Sequence, residues 1–350
     1  MKILTVIVPS YNMERYLPKC LGSLVVADSA LLELLEVIVV NDGSTDRTGE
    51  IAHEFAAKHP GVFRVIDKPN GHYGSCVNAA LKVATGEYAK IVDADDGCDT
   101  GNLAAFVAWL DSFAEKPDMV ASDYCKVDPA GNVIWTERYG FPEDRFFAPD
   151  ESLSFSRDVI TMHAVAHRVD ALRAMGYRQM EGVPYTDSQW ALTPIVRVRK
   201  MAYFPKVVTR YLVGRDGQTM EPSTLARDVD KHAAVSLEIC RAFCAAREKN
   251  LPFCGAYYAA AVRQHVEWMT LLYAIGYDRV LPTSTGEAFD RAVRELLPDV
   301  HAAIEDNTIG RGIPFHFVRE WRKDYSRDTW RFKAFRLKSK MAAKWRCWGK

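Results

Sequence analysis

Four largely apolar runs near the N-terminus, separated by helical stretches, constrain this chain more than any other feature. Leu4–Val8, Leu34–Val40, Val62–Ile66 and Tyr88–Val92 read as buried strands. Leu17–Val25, Thr48–Lys58 and Gly74–Ala84 carry helical spacing between them. Strands apolar on both faces and alternating with helices predict a parallel sheet covered on each side. Such sheets bind ligands at the carboxyl ends of their strands. Three strand ends here are polar and turn-forming: Ser10–Asn12, Asn41–Asp46 and Asp93–Asp96. The pattern predicts that they line one cleft.

The last of these ends, Ile91–Asp99 (IVDADDGCD), places Asp93, Asp95 and Asp96 within four positions. Clustered aspartates repel one another unless a cation sits among them. Mg2+ and Mn2+ take oxygen ligands of this kind and bring substrate phosphates as further ligands. A lone D-x-D is also common as an acidic turn capping the next helix, so the neighbouring blocks decide between the two.

At 350 residues the chain has room for one large domain or two ordinary ones. Its character changes near Pro222, beyond which Thr224–Lys249, Phe253–Tyr277 and Glu287–Leu297 are helical in spacing. The predicted division is an α/β domain over 1–221 and a helical region over 222–350. A formal net charge of zero gives no electrostatic footprint for nucleic acid. Eight cysteines without a C-x-x-C pair suit reduced thiols and a cytoplasmic setting. No apolar stretch reaches the roughly 20 residues needed to span a bilayer. The first run leads straight into a turn and reads as a strand, not as a leader. Arg327–Lys350 holds nine basic residues and one acidic residue, with Trp330, Leu337, Met341, Trp345 and Trp348 on one helical face. Such a segment suits the cytoplasmic surface of an anionic membrane, or packing of its apolar stripe on the protein itself.

Read together, VIVPSYN (Val6–Asn12), VIVVNDGSTD (Val37–Asp46), KPNGHYGSCVNAAL (Lys68–Leu81), ATGEY (Ala84–Tyr88) and VDADD (Val92–Asp96) resemble the family 2 glycosyltransferases. These are inverting nucleotide-sugar enzymes of the GT-A fold, here of the bacterial cell-surface polysaccharide type. The resemblance covers roughly the first 130 residues. It implies a mostly parallel sheet flanked by helices, with a helical C-terminal region. It also implies a nucleotide cleft of Pro9, Tyr11, Asn12, Asp42, Asn70, Gly71 and Asp93. Within it Asp42 meets the base, and Tyr11 stacks on the base or packs in the core. Asp95 and Asp93 form the Mn2+ or Mg2+ site, and Asp96 anchors the next loop. Ser75 caps the helix after NGHYG. An arginine usual before the position of Asn78 is replaced by Val77, which leaves Lys68 or Arg215 to meet phosphate. The family's base aspartate falls on Asp187 in EGVPYTDSQW, with Glu181 as runner-up and a helix N-cap as its plain structural role. His163 and Trp190 are acceptor-side candidates, although a lone histidine among apolar neighbours is usually structural and a core tryptophan is at least as common. Arg215 and Gln218 are candidates for a loop over the diphosphate.

The expected function is transfer of a sugar from a nucleotide-diphosphate sugar, specifically a UDP-sugar, to a hydroxyl of a glycan or lipid-linked acceptor. Two alternatives stay open at this point. A nucleotidyltransferase would share the fold class, but VPSYNMERY lacks the glycines of its phosphate loop. A non-catalytic nucleotide-sugar-binding scaffold would not need the three filled carboxylate positions.

Overall fold

Runs rich in valine and isoleucine on both faces are satisfied only inside a covered sheet, and the computed structural model places them there. It describes residues 1–156, 159–215, 222–249, 255–275, 283–305 and 316–325. β1 (Leu4–Ser10) lies between β2 (Leu35–Asp42) and β4 (Tyr88–Ile91), with β3 (Phe63–Lys68) outside β2. All four are parallel, and Val6 sits opposite Val37 on one side and Lys90 on the other. The crossovers are helical: α1 (Leu17–Ser23) and α2 (Ser29–Glu33), then α3 (Thr48–Lys58), then α4 (His72–Val83). Leu17, Leu21, Ile51 and Ala52 from this layer pack with Val6, Val8, Val37 and Val39 in the main core.

The second half of the sheet mixes directions. β5 (Gly97–Cys98) and α5 (Thr100–Asp111) precede β6 (Met119–Val127) and β7 (Val133–Glu137). After α6 (Pro149–Ser152) come β8 (Val165–Arg168), α7 (Val169–Ala174) and α8 (Asp187–Leu192). A 3₁₀ turn, Thr193–Arg197, leads into β9 (Met201–Leu212). Among the described residues the strands form one sheet, ordered β3-β2-β1-β4-β8-β6-β9-β5, with β7 on the side of β6. β8 is antiparallel to β4 and β6, while β6 and β9 run parallel.

The chain groups into two compact bodies. One comprises Met1–Gln218 with Ala245–Ala261, and the other Thr219–Cys244 with Val262–Lys350. Helices α9 (Pro222–Glu248) and α10 (Ala256–Ile275) each contribute to both. In the first body the Asp150 carboxylate accepts from the N–H groups of Ala256 and Tyr257, closing the start of α10. The second adds α11 (Thr283–Leu296), α12 (Pro298–Ala303) and α13 (Phe317–Arg322). There Arg322 clamps the buried Asp290 with contacts of 2.8 and 3.0 Å, a charge pair that satisfies both groups inside the helices. No helix of the described residues is long and apolar enough to cross a membrane. The basic segment Arg327–Lys350 and Gln218 lie outside the described residues.

Two boundaries differ from the sequence reading in ways that matter for the site. β2 and β3 run on until Asp42 pairs with Lys68, so both side chains stand at strand ends. α4 opens at His72, with Gly71 as its cap residue. Ser75 therefore lies inside the first turn, where its hydroxyl bonds the His72 carbonyl, and does not cap the helix.

Candidate active site

The loops after β1 and β2 are tied into one piece. Asn12, held at φ 52°, accepts from the Thr45 N–H at 2.9 Å through its side-chain oxygen. The N–H groups of Asn12 and Met13 donate to Ser44 Oγ at 3.0 Å and Thr48 Oγ1 at 2.7 Å. Asn12 is thus a loop tie. Pro9 is buried within β1, whereas Tyr11 is 47% exposed, a ring presented to solvent and not a core residue.

On the β2–β3 side, Asp42 is buried and its Oδ1 accepts from Lys68 Nζ at 2.5 Å and from the Gly71 N–H at 3.0 Å. Lys68 Nζ also donates to the Pro69 carbonyl at 2.7 Å and to Ser75 Oγ at 2.8 Å. Three acceptors fill the three ammonium protons, so Lys68 serves Asp42 and does not reach for phosphate. Gly43 has φ 72°, and a Cβ there would come within 2.9 Å of the Asn70 nitrogen. Only glycine satisfies both conditions. Asp42, Asn70 and Gly71 are thereby brought together as one wall.

The acidic turn follows β4. Asp93 Oδ1 accepts from the Tyr73 hydroxyl at 2.7 Å. Burial, then the Asp95 charge, pushes the Asp93 carboxyl up to about 7, against the lowering influence of Tyr73. Asp95 Oδ2 accepts from Arg215 Nε at 2.5 Å. Asp96 turns inward, and its Oδ1 accepts from the Leu212 N–H at 2.8 Å, tying the turn to β9. Burial and then its two acidic neighbours hold Asp96 well above the usual carboxylate range. As the sequence suggested, Asp96 is an anchor.

Among the described residues, no group of three or more His, Cys, Asp or Glu side chains is arranged as a complete metal cage. Two mutually repelling hard-oxygen carboxylates at a strand end suit an ion that keeps water and substrate phosphates as its other ligands. Asp93 and Asp95 fit a divalent cation of that kind.

Asp187 is the first residue of α8, and Thr186 precedes it as the cap residue. Burial holds its carboxyl above the usual range, with the Ser188 N–H pulling the other way. Its charge acts on Asp93, Tyr73 and Tyr211, which puts the predicted base in the same cluster as the acidic turn. The segment before it is pinned to α4. Asn78 donates to the Gln179 carbonyl at 2.9 Å and to Glu181 Oε1 at 2.8 Å, and accepts from the Gln179 N–H at 2.9 Å. Gln189 accepts from the Met180 N–H, and Thr186 donates to the buried Gln179. Glu181 is held by Asn78 and Arg178, with its carboxyl lowered, so it is a poorer base than Asp187. Asn12, His72 and Tyr185 are non-glycine residues at positive φ, and each lies in or beside this site. Strain of that sort gathers at functional loops.

Two predicted side chains stand elsewhere. Trp190 is fully buried against His167 and Tyr177, so it is a core residue and cannot serve as a sugar platform. His163 stacks on Tyr211 at 4.2 Å with Nδ1 3.6 Å from Asp96, behind the acidic turn. Burial, with Lys90 and Lys126 nearby, lowers its imidazole to about 3 and keeps it neutral. Lys90, 1% exposed, donates to the His163 carbonyl beside Thr209. Sequence reasoning missed Lys90, Tyr73, Tyr211 and the role of Asn78. A lysine inside an apolar strand was the one visible signal.

A sheet parallel over β1–β4 and mixed beyond them, flanked by helices, is the GT-A-like plan that the sequence predicts. The fold is similar to that of S. aureus TarS 1-349 in its crystal structure with UDP-GlcNAc, with a TM-score of 0.54 and 20% identity over 87% of this chain and 90% of that one. Residues 5–173 match the family model described as Glycosyl transferase family 2, so the chain is similar to that family over this stretch. It is 42% identical over 94 residues to the uncharacterized glycosyltransferase EpsJ of Bacillus subtilis (strain 168), covering 27% of this chain and 26% of that protein. It is 32% identical over 179 residues to chondroitin synthase of Pasteurella multocida (strain Pm70), covering 49% of this chain and 16% of that protein. The chain thus matches about a quarter or less of the length of these curated relatives.

Proposed function

We propose that this chain is a metal-dependent, inverting glycosyltransferase that moves a sugar from a nucleotide-diphosphate sugar to a hydroxyl acceptor in cell-surface polysaccharide assembly. The observation that carries the reading is that Asp187, at the start of α8, lies within electrostatic reach of the Asp93–Asp95 pair in the turn after β4. Asp42 and Gly71 receive the base, and Tyr11 offers a ring for stacking. A divalent cation held by Asp95 and Asp93 would neutralise the leaving diphosphate. Asp187, kept above the usual carboxylate range by burial, takes the acceptor proton as the new bond forms. The acceptor oxygen bonds the anomeric carbon on the face opposite the departing diphosphate, and one displacement gives one inversion. A UDP-sugar is the donor we favour, since TarS, which shares the fold, is seen with UDP-GlcNAc. A lipid-linked or glycan acceptor accords with the polysaccharide named by chondroitin synthase. The basic segment Arg327–Lys350 would place the chain at the cytoplasmic membrane face.

The test is a thermal-shift screen of nucleotide-sugars with and without Mn2+. Binding to the folded state raises Tm by mass action. Mn2+-dependent stabilisation by a UDP-sugar supports the reading. Stabilisation by a nucleoside triphosphate and by no nucleotide-sugar supports a nucleotidyltransferase instead.

A further inference from the structure

Asp95 already has a cation. Its Oδ2 takes the 2.5 Å contact from Arg215 Nε, and the two side chains are 14% (Arg215) and 12% (Asp95) exposed. The guanidinium also lies 5.2 Å from the centre of the Tyr16 ring, a second favourable seat for its charge. The backbone delivers it there. Leu212 is bound to Asp96, the Val213 N–H donates to the Val127 carbonyl at 2.9 Å, and Gly214 turns the chain at φ 84°. The end of β9 is therefore stapled to the acidic turn, and the residue after the glycine falls on Asp95.

We propose that Arg215 is the resident counter-cation of Asp95, which a divalent ion displaces and which then turns to the diphosphate of the donor. This rests on the reading of Asp93 and Asp95 as the cation site. A guanidinium and a divalent ion cannot share one carboxylate oxygen without strong repulsion, so the ion must compete for Asp95. The diphosphate offers the released fork a better partner, since guanidinium matches phosphate oxygens in a bidentate fashion. Lys68 cannot take this part, because its three protons are already spent on Asp42, Pro69 and Ser75. Ion and nucleotide each remove an obstacle to the other. Their binding is therefore coupled, and the coupling is reciprocal. The ion alone binds weakly, which keeps the donor-free site charged by protein and not by metal.

The experiment measures Mn2+ uptake by electron paramagnetic resonance on the full chain, without nucleotide and with UDP, in wild type, Arg215→Gln and Arg215→Lys. Calorimetry gives UDP affinity in the presence of Mn2+. Arg215→Gln is expected to bind Mn2+ alone about tenfold more tightly than wild type, and UDP with Mn2+ about tenfold more weakly. Arg215→Lys keeps the charge and is expected to bind Mn2+ alone much as wild type does. Tighter binding cannot come from misfolding, which protects the result from that objection. The inference is overturned if wild type takes up Mn2+ with UDP but Arg215→Gln binds Mn2+ alone no more tightly. If wild type takes up no Mn2+ even with UDP, the cation site itself is wrong and the exchange falls with it.

Discussion

Tyr73 donates to Asp93 at 2.7 Å from the second position of α4, a helix that also reaches the other two parts of the site. Ser75 in the same turn accepts from the lysine that binds Asp42, and Asn78 in the next turn grips the segment leading to Asp187. One short helix therefore ties together the segments that carry Asp42, Asp93 and Asp187.

Tyr73→Phe keeps the ring and removes the donor. Asp93 then loses a hydrogen bond that favours its charged form, and its carboxyl moves further up. A hydrogen bond to a charged group is worth about 1.5–3 kcal/mol. Joint binding of Mn2+ and UDP at neutral pH should weaken by roughly tenfold to a hundredfold on that scale. Calorimetry should show the deficit shrinking as pH rises. An equal deficit at every pH would contradict the account.

Asn78→Ala deletes three hydrogen bonds made inside the protein. The expected loss is on the order of 1–3 kcal/mol of stability, read from chemical denaturation. Because Asn78 holds the base-bearing segment, turnover should fall more than donor affinity does.

Gly74→Ala puts a Cβ 2.0 Å from the Met180 carbonyl oxygen, which is backbone and cannot swing aside. α4 must separate from the 179–181 segment, at a cost of about 1–3 kcal/mol or more. A Tm unchanged from wild type would show that the contact is looser than it stands here.

His167 contributes a pH dependence of stability. It is buried, its Nε2 lies 3.0 Å from the Trp190 carbonyl, and burial lowers its pKa from 6.5 to about 4. Below pH 6.5 the unfolded chain binds a proton that the folded chain refuses, so stability falls as pH drops from about 6.5 towards 4. Between pH 7 and 5 this one group removes about 2 kcal/mol. His167→Gln retains a donor for Trp190 without the titration. Its urea midpoint should fall less than that of wild type over the same range, and parallel curves would refute the assignment.

The strands were legible because burial on both faces leaves a run with almost no polar residue, and length alone then separates it from a helix. Asp93, Asp95 and Asp42 were legible because each closes such a run. Asp187 came from its motif neighbours, and its burial in the same cluster depends on the tie between Asn78 and Gln179 across 101 positions. No local pattern encodes that contact. Trp190 stayed open between core and site for a related reason. A tryptophan one turn into a helix that begins with a site residue looks site-facing, but the turn rotates it onto His167 in the core. Helical spacing alone starts this helix at Gly74, which makes Ser75 look like a cap. In the structure the helix opens two residues earlier, at His72.

The central claim is that Asp187 removes the acceptor proton in a site whose donor half stands without it. The most direct measurement is UDP-sugar binding and sugar transfer on one preparation of Asp187→Asn. The account predicts donor affinity within a few-fold of wild type and transfer reduced by about 10²–10⁴-fold, the usual contribution of a general base. Transfer at the wild-type rate would contradict it.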